Sequence, residues 1–216
     1  IFALNSQEKT QKAFKEKKFQ SELIKLEINE KQKKILLDKD EHPRSNLKLE
    51  DFKKLKTVFK ENGTVTAGNS SGINDGAAAT VLMSRKEAEL RSIKPLAKIV
   101  SWATCGVEPS LMGLGPIPAV KMALNNAGWK IEDIDLFEIN EAFAAQSIAV
   151  IRELKIPKEN VNVNGGAIAL GHPIGASGTR IVVTLIHELI RQNKAKGCAT
   201  LCIGGGMGIA ICIEKN

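Results

Sequence analysis

The run from Asn162 to Arg180 reads Asn-Val-Asn-Gly-Gly-Ala-Ile-Ala-Leu-Gly-His-Pro-Ile-Gly-Ala-Ser-Gly-Thr-Arg, and it restricts the fold more tightly than any other stretch. It holds five glycines (Gly165, Gly166, Gly171, Gly175 and Gly178) and leads into the apolar run Ile181-Val-Val-Thr-Leu-Ile186. Glycine at that density lets the backbone take positive φ and lets a second backbone or a ligand come close. A loop of this kind ahead of a helix presents unpaired N–H groups and the positive end of the helix dipole. Among these small residues His172 is the one group that moves a proton near neutral pH. Pro173 after it favours an extended backbone at the histidine. A lone turn histidine is most simply a solvated residue, but the surrounding glycines favour a site.

A nucleotide loop is the first alternative to meet. Gly171-x-x-x-Gly175-x-x-Gly178 is not the spaced triplet of a dinucleotide fold, and it lacks the Lys-Ser/Thr pair of a phosphate-cradling loop. A His-Pro pair at its centre would also crowd a pyrophosphate.

With 216 residues and 43% of them hydrophobic, the chain is long enough for one large domain or two small ones with a proper core. No apolar run is long enough to span a bilayer, so no membrane association is expected. The start carries no secretory signal pattern. Its first residue is Ile1, which implies a beginning partway through a longer polypeptide. The expected compartment is the cytoplasm, with the mitochondrion left open. The net charge of +7 is concentrated early: residues 1–60 hold 16 Lys/Arg against 10 Asp/Glu. Basic charge in one region suggests an anionic partner. Nucleic acid is not expected, because aromatic residues for base stacking are few and no recognised motif occurs. Cys105, Cys198, Cys202 and Cys212 form no C-x-x-C pair, so no metal site is expected and free thiols in a reducing compartment are the simplest account.

Read in order, residues 5–20 form a basic helix and Leu23–Ile28 an edge strand. Lys31–Lys39 marks a turn or the end of a hairpin, and Leu49–Phe59 a short amphipathic helix before the Asn62-Gly63 turn. Ala77–Met83 is uninterrupted small or apolar sequence, the pattern of a fully buried strand. Ser84 caps a helix through Arg91, with Glu87 at the capping-box position. From Pro95 strands and helices alternate. Strands are expected at Leu96–Ala103, Ile134–Ile139 and Val161–Val163, with helices at Pro116–Ala127, Ala142–Leu154 and Gly175–Gln192. Gly197–Ile203 and Gly208–Glu214 close the chain as a hairpin across Gly204-Gly-Gly206. That order predicts an α/β layer.

Three loops gather the chemistry, each at the end of a strand, where α/β folds place their sites. They are Asn140-Glu-Ala-Phe143, the His172 loop and Cys202-Ile-Gly-Gly-Gly-Met-Gly208. Helix capping and core packing are the ordinary uses of Asn140 and Cys202 taken singly.

Together these motifs resemble the thiolase family, in particular its acetyl-CoA acetyltransferase branch, over essentially the whole chain. The resemblance implies a layered α-β-α-β-α fold of class α/β. Residues 1–72 would be part of a CoA-binding loop domain, 73–93 the last segment of the N-terminal thiolase domain, and 94–216 the C-terminal thiolase domain. The implied reaction is the reversible Claisen condensation of two acetyl-CoA to acetoacetyl-CoA plus CoA, a step of lipid and fatty acid metabolism. His172 would be the base that activates a nucleophilic cysteine and would line the oxyanion hole. Asn140 would hold a water there, Cys202 would shuttle the α-proton, and Gly204 would give an N–H to a second oxyanion hole. Claisen chemistry needs an acyl-carrying nucleophile, a base at the α-carbon and donors aimed at the oxyanion. A thiol near a histidine and glycine N–H groups is expected to have a lowered pKa. By the same resemblance Arg44 and Ser71 would contact coenzyme A, and Ala67, Phe59 and Phe143 would line its channel. Acetyl-CoA and acetoacetyl-CoA are then substrates, no cofactor is tightly bound, and the full-length enzyme would be a homodimer or homotetramer.

One departure is decisive. The family's acyl-accepting cysteine lies in a first half that this chain does not contain, and Cys105, in Trp102-Ala-Thr-Cys-Gly-Val107, is most simply a packing residue. The chain alone is therefore expected to be inactive. A 3-ketoacyl-CoA thiolase of broader chain length and a non-catalytic CoA-binding fragment are the alternatives.

Overall fold

Side-chain alternation builds the larger sheet. The computed structural model describes residues 1–30 and 33–216. In chain order its elements are α1 (Phe2–Lys15), β1 (Leu26–Glu30), β2 (Lys33–Leu37), α2 (Leu49–Lys53), α3 (Arg85–Leu90) and β3 (Ala97–Gly106). There follow α4 (Pro116–Ala127), β4 (Leu136–Ile139), α5 (Ala144–Glu153), α6 (Ala167–Leu170), α7 (Ser177–Arg191), β5 (Lys196–Ile203) and β6 (Met207–Lys215). The four-stranded sheet runs β3-β6-β5-β4, with β4 and β5 parallel and the other pairs antiparallel. Successive residues of a strand face opposite sides. Phe137, Cys198 and Cys212 therefore join α4 and α5 in one core, while Leu136, Ala199 and Ile213 meet Ile181, Leu185 and Leu189 of α7 in the other. The result is a helix–sheet–helix sandwich, in keeping with the expected α/β class.

Pro at the first position starts α4, and Gly128, at φ 69°, ends it in the left-handed conformation that glycine adopts without strain. Ser84 accepts a bond from the Glu87 backbone N–H and caps α3 as expected. Helix α1 packs on α6 and α5 rather than on the sheet, through Ala3 against Ala144 and Ile168.

Several boundaries differ from the sequence reading, and each has a physical reason. The helix expected over Leu49–Phe59 stops at Lys53, because Thr57 and Val58 pair their backbones with Thr66 and Val65 instead. The first strand begins at Leu26 rather than Leu23 and pairs with Lys33–Leu37 as a hairpin. The lysine-rich run is therefore largely strand, and its residues 31–32 lie outside the described residues. Val161–Val163 makes single bridges, to Phe137 and Gly165, in place of a strand. The largest correction concerns Ala77–Met83. It is neither a ladder strand nor buried, since Val81 is 86% and Leu82 72% exposed and no strand among the described residues lies beside it.

Candidate active site

Three backbone runs travel side by side before they reach the site. β4 lies parallel to β5, and Val161 bridges in parallel to Phe137. Their C-terminal ends therefore open on the same side, and from them emerge the loops of Asn140, His172 and Cys202. The N–H of Asn140 bonds the carbonyl of Thr200 at 3.0 Å, which ties the first loop to the strand that carries Cys202. Asn162 lengthens β4 artificially: its amide oxygen takes the Ile139 N–H and its nitrogen reaches the Ile139 carbonyl, both at 2.8 Å.

Asn140 does not cap the helix that follows. Helix α5 begins at Ala144, and its cap position is taken by Phe143, three residues beyond Asn140. The Asn140 side chain is thus free, and it is buried. Its Nδ2 lies 3.3 Å from Nε2 of His172. On the other side of the ring, Nδ1 lies 2.5 Å from Oγ of Ser177. The Ser177 hydroxyl donates to the Pro173 carbonyl at 3.0 Å and so accepts a hydrogen bond from Nδ1–H. That chain of donors fixes the neutral ring with hydrogen on Nδ1 and a lone pair on Nε2. Oδ1 of Asn140 is buried without a hydrogen-bond partner among the described residues, so by turning over the same amide can accept from a protonated Nε2. Burial, and secondarily the charge of Arg180, lowers the pKa of His172 from its usual value. The ring is therefore held as a base.

Glu141 supports this arrangement from below. Its buried carboxylate accepts from Ser6 Oγ at 2.6 Å, Asn162 Nδ2 at 3.0 Å and the Ile168 N–H at 3.2 Å. Gly166 must lack a side chain, since a Cβ there would meet the Glu141 carboxyl carbon at 2.4 Å. Burial pushes the Glu141 pKa up, and its three hydrogen bonds oppose that shift. Deeper still, Arg180 reaches to 3.8 Å from Glu138, too far for a hydrogen bond. Burial raises Glu138 to about 8 and Glu22 to about 7.

Cys202 stands near the end of β5, half-buried, opposite Gly208. Burial raises its pKa, and only its own backbone N–H pulls the other way. The expectation of a lowered pKa is corrected: the resting group is a thiol. No hydrogen bond joins it to His172 among the described residues. Gly204 beyond it faces open space, and Gly205 and Gly206 turn the hairpin with φ of 89° and 88°. Cys105 packs at the edge of the α4 core, its sulfur 3.9 Å from that of Met122, in keeping with a packing role.

Two of the residues expected to hold coenzyme A, Ser71 and Phe143, are joined to the Asn140 loop. Ser71 donates from both N and Oγ to the Ala142 carbonyl, at 3.0 and 3.1 Å. Ser70 bridges Phe143, and the Phe59 and Phe143 rings meet edge to face at 5.7 Å. Ala67 is exposed at the start of a short helical turn. Arg44 is exposed, and its backbone is pinned to α1 by Gln7 and Gln11. Sequence reasoning overlooked Ser177 and Asn74. Both are polar residues set among glycines, a signal that was present in the two loops. The described residues contain no group of three metal-ligating side chains.

Residues 93–215 match the family model for the C-terminal domain of thiolase, and residues 1–86 that for the N-terminal domain. The chain belongs to the thiolase family. It is 55% identical to the acetyl-CoA acetyltransferase of Shinella zoogloeoides over 99% of its own length and 55% of that protein's. Against the cytosolic acetyl-CoA acetyltransferase of Rattus norvegicus the identity is 53%, covering 99% of this chain and 54% of the relative. The crystal structure of the Bacillus anthracis acetyl-CoA acetyltransferase superposes with a TM-score of 0.98 at 48% identity, covering 99% of this chain and 54% of that one. Human mitochondrial 3-ketoacyl-CoA thiolase gives 0.92 at 42% identity, covering 100% and 54%. This thiolase chain thus spans about half the length of the relatives it matches. Among the described residues no helix is long and apolar enough to cross a membrane.

Proposed function

We propose that this chain supplies the base, the proton shuttle and the CoA-contacting segments of an acetyl-CoA acetyltransferase, completed by a cysteine-bearing half such as its relatives contain. The observation that carries this reading is the His172 ring, held between Asn140 at Nε2 and Ser177 at Nδ1. Nε2 takes the proton of a cysteine thiol from the other half. The sulfur attacks the thioester carbonyl of acetyl-CoA, and CoA leaves as its thiolate. The Cys202 thiol gives its proton to that departing thiolate, and the Cys202 thiolate so formed removes a proton from the α-carbon of a second acetyl-CoA. The carbanion attacks the acyl-enzyme carbonyl and expels the cysteine, giving acetoacetyl-CoA. Gly204 and the Asn140–His172 pair stabilise the two oxyanions. Arg44, Ser71, Ala67, Phe59 and Phe143 form the coenzyme A channel, which accounts for the basic first third without nucleic acid. Residues 1–72, 73–93 and 94–216 are the loop, N-terminal and C-terminal segments of this arrangement. The reaction needs no metal or tightly bound cofactor. The cytosolic rat relative supports a cytoplasmic setting, and a symmetric dimer or tetramer is the working assembly.

The test is to express the chain alone and together with the N-terminal half of the Shinella zoogloeoides relative, then assay thiolysis of acetoacetyl-CoA. Turnover by the pair alone is expected. Turnover by this chain alone would make one of its own cysteines the nucleophile and reassign Cys202. CoA binding without turnover by the pair would favour a non-catalytic role. Faster cleavage of longer 3-ketoacyl-CoA would move the assignment to the 3-ketoacyl-CoA branch.

A further inference from the structure

Asn74 lies 98 residues from His172 in sequence and touches its backbone. Residues 72–74 run parallel to 171–173, with a bridge between Ile73 and His172. The His172 N–H is shared between the Gly72 carbonyl at 3.1 Å and the Asn74 Oδ1 at 3.2 Å. The other end of the Asn74 amide, Nδ2, faces Nδ1 of His42 at 3.4 Å. His42 stands two residues before Arg44.

Two glycines are explained by this contact. A Cβ on Gly171 would lie 2.4 Å from Asn74 Oδ1, and the residue holds φ at 97°. A Cβ on Gly72 would lie 2.5 Å from His42 Cε1 and 2.8 Å from Asn74 Oδ1. Both positions are kept bare so that one amide can enter between them. A side chain with that much space reserved for it is placed for a purpose beyond filling volume.

We propose that Asn74, oriented by His42, is a positioning residue for His172. Its oxygen fixes the backbone of the histidine, and the ring then lies between Asn140 and Ser177. Its nitrogen is aimed at Nδ1 of His42, so the segment that carries Arg44 is mechanically joined to the reacting ring. Alanine at 74 removes both connections. Aspartate keeps the acceptor toward His172 and loses the donor toward His42.

The inference deepens the proposed function, on whose reading of His172 its catalytic meaning rests, but its readout is spectroscopic and independent of turnover. The chain contains only three histidines, so the ring signals of ¹⁵N-labelled protein are assignable by single substitution. In the unaltered 216-residue chain, the His172 ring should be in its Nδ1–H form. In Asn74→Ala a mixture of tautomers is expected, with exchange of the His172 amide hydrogen about five- to tenfold faster, the scale of one lost hydrogen bond. Asn74→Asp should restore amide protection, and His42→Phe should leave protection partly reduced. Unchanged tautomer and exchange in Asn74→Ala would overturn the proposal. Faster exchange spread equally over the β5 and β6 amides would also overturn it, because Asn74 would then be a general packing residue. If His172 proves dispensable for thiolysis while these signals behave as expected, the proposed function fails and the positioning role stands.

Discussion

Ser177 holds the Nδ1 side of the His172 ring at 2.5 Å while its hydroxyl donates a hydrogen bond to the Pro173 carbonyl, one turn of chain away. The serine opens helix α7, so the orientation of the ring is inherited from a helix rather than from a mobile loop. Ser177→Ala removes the acceptor and leaves Nδ1–H unpaired. In an assembled enzyme kcat should fall by about ten- to a hundredfold with KM little changed, less than the hundredfold or greater loss on removing the base itself in His172→Ala. Steady-state thiolysis decides it, and an unaltered kcat would detach Ser177 from the chemistry.

Cys202→Ser separates the two half-reactions. Acylation of the partner cysteine should proceed at its normal rate, because Cys202 makes no hydrogen bond to His172. Exchange of acetyl α-protons in deuterated water should drop by about two orders of magnitude or more, since a hydroxyl is a far weaker acid than a thiol. Undiminished exchange would leave Cys202 as strand packing.

Glu138 yields a prediction about pH. Its folded-state pKa of about 8 lies above the ordinary carboxylate value of 4.5, so the fold favours the protonated form. That contribution to stability is complete below about pH 4.5 and is lost as pH rises through about 8. Glu22, at about 7, acts in the same direction. Glu138→Gln keeps the neutral shape at every pH. It should match the parent near pH 5 and exceed it at pH 9 by about 1–3 kcal/mol, the cost of a buried, poorly paired polar group. Thermal melts across that range test it. A glutamine variant less stable at pH 9 would mean that Glu138 is ionised and held by Arg180.

Two glycines of the organising stretch should respond in opposite ways. Gly165 has φ of 82°, and a Cβ there would fall 2.0 Å from Thr10 Oγ1 and 2.5 Å from the Ser6 carbonyl. Gly165→Ala should destabilise the chain by about 2–4 kcal/mol by pushing α1 off the loop. Gly178 is inside α7 with nothing near its missing side chain, and Gly178→Ala should stabilise by about 0.5–1 kcal/mol. Chemical denaturation of both variants provides the comparison.

The alternation of Leu136, Phe137, Cys198, Ala199, Cys212 and Ile213 made the C-terminal layer readable in advance, because both sheet faces are covered within this chain. Proline and glycine marked α4 just as plainly. The Ala77–Met83 segment misled because its composition describes burial without saying which chain supplies the neighbours. Leu49–Phe59 misled because backbone pairing with residues 65–66 outweighed a weak helical pattern. In the site, His172, Asn140 and Cys202 stood out by their glycine surroundings. Ser177 and Asn74 do not stand out in this way, since their importance lies in two hydrogen-bond contacts each, and sequence spacing does not show which atoms a fold will bring together.

The contact between Ser6 and Glu141 also bears on the order in which the molecule can be made. The two residues are separated by 135 positions, and the Gly166 N–H that completes the cluster comes later still. At ordinary ribosomal speed, α1 is synthesised on the order of ten seconds before the residues that bury its Ser6, Gln7 and Thr10 exist. Through that interval the helix lacks the partners that residues 141–168 later supply, and its surplus of lysines over acids favours its solvation. Docking of α1 then coincides with settling of the glycine loop, so His172 acquires its final surroundings only after both segments have been made.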